Sequence, residues 1–357
     1  MELPREMEAI VLRGVRDFSI EKISVPVAGS DEVICKVDTT FICGTDPHII
    51  NGDFPGFWPT GFPFVPGHEW SGTIVQTGQQ ASQLGWNEGD RVCGISHCGC
   101  GYCEMCQKGR YNICLNYGFE SKGHRQYGHY TPGAYAQYMR SSVKSIFKIP
   151  DDMSLEYAAC VDPLSIALYT VQRSRMKPGD DILIMGTGPQ GLMAILCAKA
   201  LGAARIFAAG SGERLVKAAE LGAIPIDYKS EDVVEKIKDM TGGRGVPAVL
   251  ECAGTSKSIT QACLAAGKGG VVSIIGIPHA DPYLPIKRIV LDEIELVGNR
   301  ANPNTARATI DLLQNQRIDL SPLMTHKFPL KDFKQALEIF ENRKDGAIKV
   351  ATKPNEN

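Results

Sequence analysis

The sequence predicts an α/β protein in two parts, a β-rich domain followed by a doubly wound parallel sheet, with the end of the chain returning to the first part. Three observations carry this. Residues 1–150 read as short strands broken by Gly and Pro, and residues from Pro178 to about Gly298 alternate strand-like with helix-like runs. Between the first such strand and helix, Gly186, Gly188 and Gly191 form G-x-G-x-x-G. Alternation of strand and helix favours a parallel sheet with both faces covered.

In the first part the strand-like runs are EAIVLRG, FSIEKIS, EVICKVDTTFI, SGTIVQTG, DRVCGI and GAYAQYMR. They suit a compact β domain whose loops carry function. After KIPDDMS the texture changes to DILIMG, PQGLMAILCAKALGA, RIFAAG, GERLVKAAELGA and further pairs down to EIELVGN. A helix-like TARATIDLLQNQ and a strand-like GAIKVAT follow. The expected domains are 1–158, with a cysteine lobe at about 98–116, then 159–298, then 299–357 returning to the first domain.

A chain of 357 residues is long enough for two separate cores. The net charge of −2 excludes a global pull toward nucleic acid or an anionic membrane. The densest basic run, KGHRQYGH at 122–129, reads as a solvated loop rather than a phosphate track. No apolar stretch reaches the roughly eighteen residues that span a bilayer. The twelve cysteines are not expected to form a disulfide framework in so long and apolar a chain, and MELPREMEAIV lacks an apolar signal core. The expected compartment is reducing and cytoplasmic.

Cys100, Cys103, Cys106 and Cys114 form C-x2-C-x2-C-x7-C. Four thiols so spaced suit one tetrahedral Zn2+ as a closed site, which holds a loop in shape and leaves no open position for chemistry. Cys98 beside them is left out, and the remaining single cysteines read as small core hydrophobes. A second, reacting metal needs three protein ligands and a replaceable water. Cys43 in FICGTDPHI supplies a thiolate and His68 in VPGHEWSG an imidazole. Glu69 or Asp162, the latter in CVDPLSIALYT, supplies a carboxylate, unless Asp162 only caps the helix after it.

In the glycine loop Gly186-Thr187-Gly188-Pro189-Gln190-Gly191, the first Gly permits a tight turn, the second lets backbone approach a pyrophosphate, and the third lets helix pack on sheet. At the end of the next strand, where an NAD site usually places an acid against the adenosine ribose, the chain has Ala209 and Gly210. Ser211 and Arg214 are suited to a 2′-phosphate, so NADP(H) is preferred. The alternative is that Glu213 grips the ribose and NAD(H) is used.

At these residues the chain resembles the zinc-dependent medium-chain alcohol and polyol dehydrogenases over nearly its whole length. The motifs are C-G-T-D-x-H at Cys43 to His48, G-H-E at Gly67 to Glu69, the four-cysteine lobe, D-P-L-S at Asp162 to Ser165, and G-T-G-P-Q-G. Thr45, Asp46 and His48 after the metal cysteine are similar to the sorbitol and threonine dehydrogenase branch. The resemblance implies a GroES-like catalytic domain, a Rossmann domain with strand order 3-2-1-4-5-6, two zinc ions, and a homodimer or homotetramer. It implies that Cys43, His68 and either Glu69 or Asp162 hold the catalytic zinc. Thr45 and His48 become the relay for the alcohol proton, zinc the Lewis acid, and a nicotinamide the hydride carrier. Arg300 in VGNRANP matches an arginine near cofactor and substrate, or else is a surface residue at a strand end.

Two departures bear on substrate and cofactor. NGDFPGFWPTGFPFVP places Phe54, Phe57, Trp58, Phe62 and Phe64 before the metal histidine. If some line the cleft, a larger or cyclic secondary alcohol or ketone is expected rather than an open-chain polyol; otherwise they pack the loop or an interface. The absent ribose acid puts NAD use in doubt. The rivals are a NAD-dependent polyol or amino-alcohol dehydrogenase and, more remotely, a non-catalytic nucleotide-binding structural or redox-sensing protein.

Overall fold

The computed structural model describes residues 3–356; Met1, Glu2 and Asn357, which the expected first and last segments include, lie outside the described residues. The chain divides into two compact units, Met1–Asp162 with Ala306–Gln314 and Leu320–Asn357, and Pro163–Thr305 with Asn315–Asp319. The divisions fall at Asp162/Pro163 and Thr305/Ala306, rather than at 158/159 and 298/299. The reason for the later break is a pair of bonds: Asn302 Nδ2 donates to Ser165 Oγ at 2.7 Å and Thr305 Oγ1 to the Ser165 carbonyl at 2.9 Å. They tie the 299–305 loop to the second unit.

The first unit opens with the hairpin β1 (Glu6–Gly14) and β2 (Asp17–Ser24). β3 (Glu32–Phe41), helix α1 (Thr45–Asn51), β4 (Glu69–Thr77), α2 (Gln79–Gln83) and β5 (Arg91–Gly94) follow. The cysteine lobe lies between the short paired strands β6 (His97–Cys98) and β7 (Arg125–Gln126) and holds α3 (Glu104–Gln107). β8 (Tyr138–Ser142), β9 (Ile146–Lys148), α4 (Leu155–Ala159) and α5 (Val161–Arg173) complete the run up to and across the boundary.

The second unit carries β10 (Asp181–Met185), α6 (Pro189–Ala200), β11 (Arg205–Gly210), α7 (Glu213–Glu220), β12 (Ile224–Asp227), α8 (Val233–Met240) and β13 (Val246–Glu251). It closes with α9 (Ser256–Ala265), β14 (Ala266–Ile274), α10 (Ile286–Leu291) and β15 (Glu295–Gly298). All neighbours are parallel, in the order β12-β11-β10-β13-β14-β15, which is the 3-2-1-4-5-6 of a doubly wound nucleotide fold. The central strand β10 is an unbroken apolar run with Ile182 to Met185 buried, as a strand covered on both faces must be. α6 is buried along Gly191–Ala198, whereas α7 buries Leu215 and Ala218 and faces solvent with its charges.

The C-terminal segment supplies α11 (Ala306–Gln314), β16 (Met324–Pro329), α12 (Phe333–Asn342) and β17 (Lys349–Lys353). β17 pairs with β3 through Ala351↔Phe41 and Thr352↔Thr40, extending the sheet β16-β17-β3-β4-β5-β9, onto which β8 pairs at β3. This places Lys349 beside residues some 280 positions earlier. The core on one side of the sheet holds Ile42, Ile49, Trp58, Phe64, Tyr135, Phe333 and Val350.

Candidate active site: a metal centre and a dinucleotide crevice

Cys43 sits between β3 and α1, and His68 and Glu69 enter β4, with Glu69 opposite Phe41 in the ladder. The turn before His68 depends on Gly67. Its φ is +94°, and a Cβ there would stand 2.8 Å from the Tyr135 ring. One ligand atom from each of Cys43, His68 and Glu69 lies within 4.8 Å of the others. Asp162 is not in that group. Buried in the first turn of α5, it accepts the Ser96 N–H at 3.1 Å through Oδ1 and so ties down the β5–β6 connection.

Asp46, wholly buried, organises this centre. Its Oδ2 accepts the Cys43 N–H at 2.8 Å and the Tyr135 hydroxyl at 2.6 Å, while Oδ1 lies 3.5 Å from His68 Nδ1. A carboxylate on Nδ1 fixes the ring and leaves Nε2 as the ligand nitrogen. Burial raises the Asp46 carboxyl, but His68, Tyr135 and the Cys43 amide outweigh it and hold it below the ordinary range. Burial lowers His68, yet the Cys43 and Asp46 charges carry it well above its usual value. Buried negative charge that pulls a proton onto an imidazole is equally suited to a cation, and a thiolate, an imidazole and a carboxylate form a fitting donor set for Zn2+.

Glu69 pairs through Oε2 with Lys349, whose Nζ also donates to the Ile42 carbonyl at 3.2 Å. Burial lowers the Lys349 ammonium and the Glu69 charge more than restores it, while burial holds the Glu69 carboxyl above its ordinary value despite Lys349. Thr45 Oγ1 donates to Cys43 Sγ at 3.4 Å. His48 on α1 is 41% exposed, with Nδ1 2.6 Å from Asp53 Oδ2. A hydroxyl at the thiolate and an imidazole at the surface are the two ends a proton path requires.

In the lobe, Cys100 and Cys106 sulfurs are 3.9 Å apart and those of Cys103 and Cys114 3.8 Å. Tetrahedral Zn–S bonds of about 2.3 Å place sulfurs about 3.8 Å apart, so the four thiols fit the ion. The amides of Cys103, Cys106, Leu115 and Asn116 point at these sulfurs at 3.4–3.5 Å. Cys98, buried in β6, stays outside the group.

The stretch 122–129 is not a solvated loop. His124, Gln126, Tyr127 and His129 are all buried. The reason is an aromatic cluster that only the fold assembles: the His129 ring lies 4.5 Å from that of His68 and 4.8 Å from Trp58, and Trp58 Nε1 donates to Tyr117 Oη at 2.9 Å. Of the aromatic stretch, Trp58 and Phe64 are buried in the core and Phe54 packs against it, while Phe57 and Phe62 are exposed. Trp58 thus reaches His68 through His129, and the Phe54 ring lies 6.1 Å from that of His48.

In the second unit Gly188 caps α6 and Pro189 opens it. A Cβ on Gly191 would stand 1.8 Å from the Gly186 carbonyl oxygen, so only Gly lets helix and loop meet there. Gln190 Nε2 donates to the Pro163 carbonyl at 3.3 Å. A cavity of about 230 Å³ opens beside the loop, lined by Met185, Gly186, Ala209, Tyr228, Thr255 and Lys257 among others. Ser211 Oγ donates to Tyr228 Oη at 3.1 Å, and the Arg214 guanidinium lies 4.0 Å from where a Gly188 Cβ would be. Glu213 begins α7 and is exposed, and Arg300 is half-buried after β15. A Cβ on Gly210 would meet Thr187 Oγ1 at 2.2 Å: the buried threonine fills the space where a ribose-gripping acid would begin. Asp46, Tyr135, Lys349, His129 and Tyr228 have no local sequence signal, except that Asp46 lies within the C-G-T-D-x-H motif.

Comparison with known proteins accords with this geometry. Residues 29–151 match the alcohol dehydrogenase GroES-like domain and residues 189–315 the zinc-binding dehydrogenase domain. The chain is 34% identical to a sorbitol dehydrogenase of Bacillus subtilis over 99% of both chains. It is 32% identical to an L-threonine 3-dehydrogenase of Bacillus velezensis over 92% of this chain and 94% of that one. Among solved structures, a putative zinc-binding dehydrogenase from Sinorhizobium meliloti bound to NADP superposes with a TM-score of 0.88 at 29% identity, covering 98% and 99% of the two chains.

Proposed function

Because the chain belongs to the zinc-dependent medium-chain alcohol and polyol dehydrogenases, we propose the finer reading that it is an NADP(H)-dependent enzyme of a bulky or cyclic secondary alcohol and its ketone. The observation that carries the cofactor is the end of β11, where Thr187 occupies the place of a ribose acid and Ser211, Tyr228 and Arg214 offer hydroxyls and a guanidinium to a 2′-phosphate. An NADP-bound neighbour supports the same reading. Tyr228 is 49% exposed, as a group awaiting a phosphate at the rim would be.

Cys43, His68 and Glu69 hold the catalytic zinc in this reading, and Cys100, Cys103, Cys106 and Cys114 the structural one. When bound, the catalytic ion supplies Lewis acidity that lowers the pKa of a coordinated hydroxyl. Asp46 holds His68 in its ligating tautomer in this reading, and Lys349 fixes the Glu69 carboxylate through Oε2. Thr45 accepts the alcohol proton's hydrogen bond and His48, steadied by Asp53, passes the proton to solvent. Trp58 and His129 pack beside His68, and in this reading that aromatic cluster shapes the side of the centre against which a ring or a bulky substituent would lie. Arg300 is assigned to cofactor or substrate contact.

A second reading, a NAD-dependent polyol or amino-alcohol dehydrogenase, is favoured by the names of the sorbitol and threonine relatives. The test is a panel of open-chain polyols, L-threonine, and cyclic and aryl secondary alcohols and ketones, each run with both cofactors. The proposal expects NADPH turnover on the cyclic and aryl ketones to exceed that on open-chain polyols. Preference for sorbitol or threonine with NAD sinks it. Among the described residues no helix is long and apolar enough to cross a membrane.

A further inference from the structure

Glu251, the last residue of β13, is wholly buried and takes no part in the site described above. It lies opposite Met185 on β10 and Ile274 on β14, the two strand ends that enter the glycine loop and the Gly276 turn. Its Oε1 accepts three donors: the N–H groups of Ala253 at 3.0 Å and Gly254 at 2.9 Å, and Ser258 Oγ at 2.6 Å. Ser258 also closes the capping box of α9 with Thr255. Its Oε2 has no hydrogen-bond partner among the described residues and stands 2.5 Å from where a Gly276 Cβ would be.

The turn that this carboxyl holds is a wall of the dinucleotide crevice. A Cβ on Gly186, the first glycine of the loop, would meet the Ala253 Cβ at 2.9 Å, and one on Gly276 would meet the Gly254 amide at 2.3 Å. Ala253, Thr255 and Ser258 line the same cavity as Gly186 and Ala209. One side chain therefore sets the spacing of three strand ends at the place where a doubly wound sheet receives its ligand. We propose that Glu251 is a positioning residue of the dinucleotide site, acting as a neutral carboxylic acid that locks the β13–α9 turn against the glycine loop.

The neutral form follows from the surroundings. β10 brings Met185 to it, β14 Ile274, and α9 Ser258, with no cation among its hydrogen-bond partners within the described residues; the titratable group next to it is the Cys252 thiol, itself pushed up chiefly by burial. Burial pushes the Glu251 carboxyl up, and the bonds from Ser258, Gly254 and Ala253 offset this only in part. These three donors favour the charged form; what opposes ionisation is burial and Oε2, which has no hydrogen-bond donor among the described residues. Ionisation would place a bare charge against the Gly276 backbone and loosen the turn. A folded pKa above the unfolded one means the arrangement is intact at low pH and is lost as pH rises through the folded value.

The test is NADPH binding to the zinc-loaded protein, followed by nucleotide fluorescence from about pH 5 to pH 9. Glu251→Gln keeps the Oε1 acceptor and cannot ionise. It should bind like the unmodified enzyme at low pH and hold its affinity at high pH, where the unmodified enzyme weakens; the cofactor's own titration is common to both and cancels. Glu251→Ala should raise Kd and the cofactor KM about tenfold or more with kcat little changed, the loss of at least one buried bond. Superimposable pH profiles for the unmodified and Gln enzymes overturn the proposal, as does Ala binding within twofold; should the Ala variant not fold, the Gln profile decides. The inference rests on the dinucleotide reading: an unmodified enzyme that binds neither NADPH nor NADH overturns both, whereas normal binding with indifferent variants overturns this one alone.

Discussion

The cofactor assignment can be challenged at Gly210. On sequence alone, Gly210→Asp reads as a simple switch to NAD, through repulsion of the phosphate and a new bond to the ribose. The structure predicts otherwise. The new Cβ would lie 2.2 Å from Thr187 Oγ1, 2.5 Å from Cγ2 and 2.9 Å from Cβ, all on a side chain only 6% exposed. Ordinary contact begins near 3.4 Å, so the threonine must move by more than 1 Å inside a packed loop. Overpacking of this kind costs about 1–3 kcal/mol, comparable to the charge-assisted bond of about 1.5–3 kcal/mol expected at a 2′-phosphate. The single variant should therefore lose efficiency with NADPH and gain none with NADH. Thr187→Ala combined with Gly210→Asp removes the 2.2 and 2.5 Å contacts and leaves the 2.9 Å approach to the residue-187 Cβ, a smaller displacement for the loop to absorb, and should restore NADH use. The unmodified enzyme should favour NADPH by roughly 10–100-fold in kcat/KM, since about 1.4 kcal/mol is tenfold. The assay is kcat/KM for both cofactors on one ketone, with Tm for each variant. If the single variant prefers NADH with an unchanged Tm, Thr187 is no obstacle. If the unmodified enzyme prefers NADH, Glu213 or backbone grips the ribose.

Three further outcomes are expected. Cys106→Ser should lose one zinc and much of its stability, because structural zinc binding is worth on the order of 10 kcal/mol in small domains, while His68→Ala should stay folded, keep the lobe zinc and be inactive; metal analysis with circular dichroism separates them, and full activity with one zinc per chain refutes the division of roles. His48→Ala should lower alcohol oxidation by roughly 10² at neutral pH and less as pH rises, and Asp53→Asn should follow in the same direction; an unchanged pH–rate profile removes the relay. Glu156 bonds Lys327 and Lys353. Burial raises its carboxyl, and those bonds more than reverse this and lower it, so its stabilisation is full above the ordinary 4.5 and fades as pH falls through the lowered value. Being partly exposed, it contributes less than about 1 kcal/mol. Urea midpoints of Glu156→Gln should lie slightly low at pH 7 and converge on the unmodified protein as pH falls through the lowered value; an equal deficit across the whole acid range would show that packing, not charge, is lost.

What the sequence by itself determined was whatever depends on short spacing or local period. The C-x2-C-x2-C-x7-C lobe, the turn from β10 through Gly186, Gly188 and Gly191 into α6, and the alternation that yields a parallel six-stranded sheet are each written within a few dozen consecutive residues. Cys43 and His68 were legible as candidate ligands because each sits in a glycine-flanked loop of its own. Only the tertiary structure separated the two carboxylates: ladder pairing carries Glu69 to Cys43 and His68, while Asp162 gives one oxygen to the Ser96 amide and lies outside that group. It alone brought Lys349 to Glu69 across 280 positions and Tyr135 to Asp46 across 89. It also turned the basic-looking 122–129 segment inward against Trp58 and set Thr187 over Gly210. These contacts join residues on different strands, and strand order, register and burial fix their distance; no local spacing encodes it.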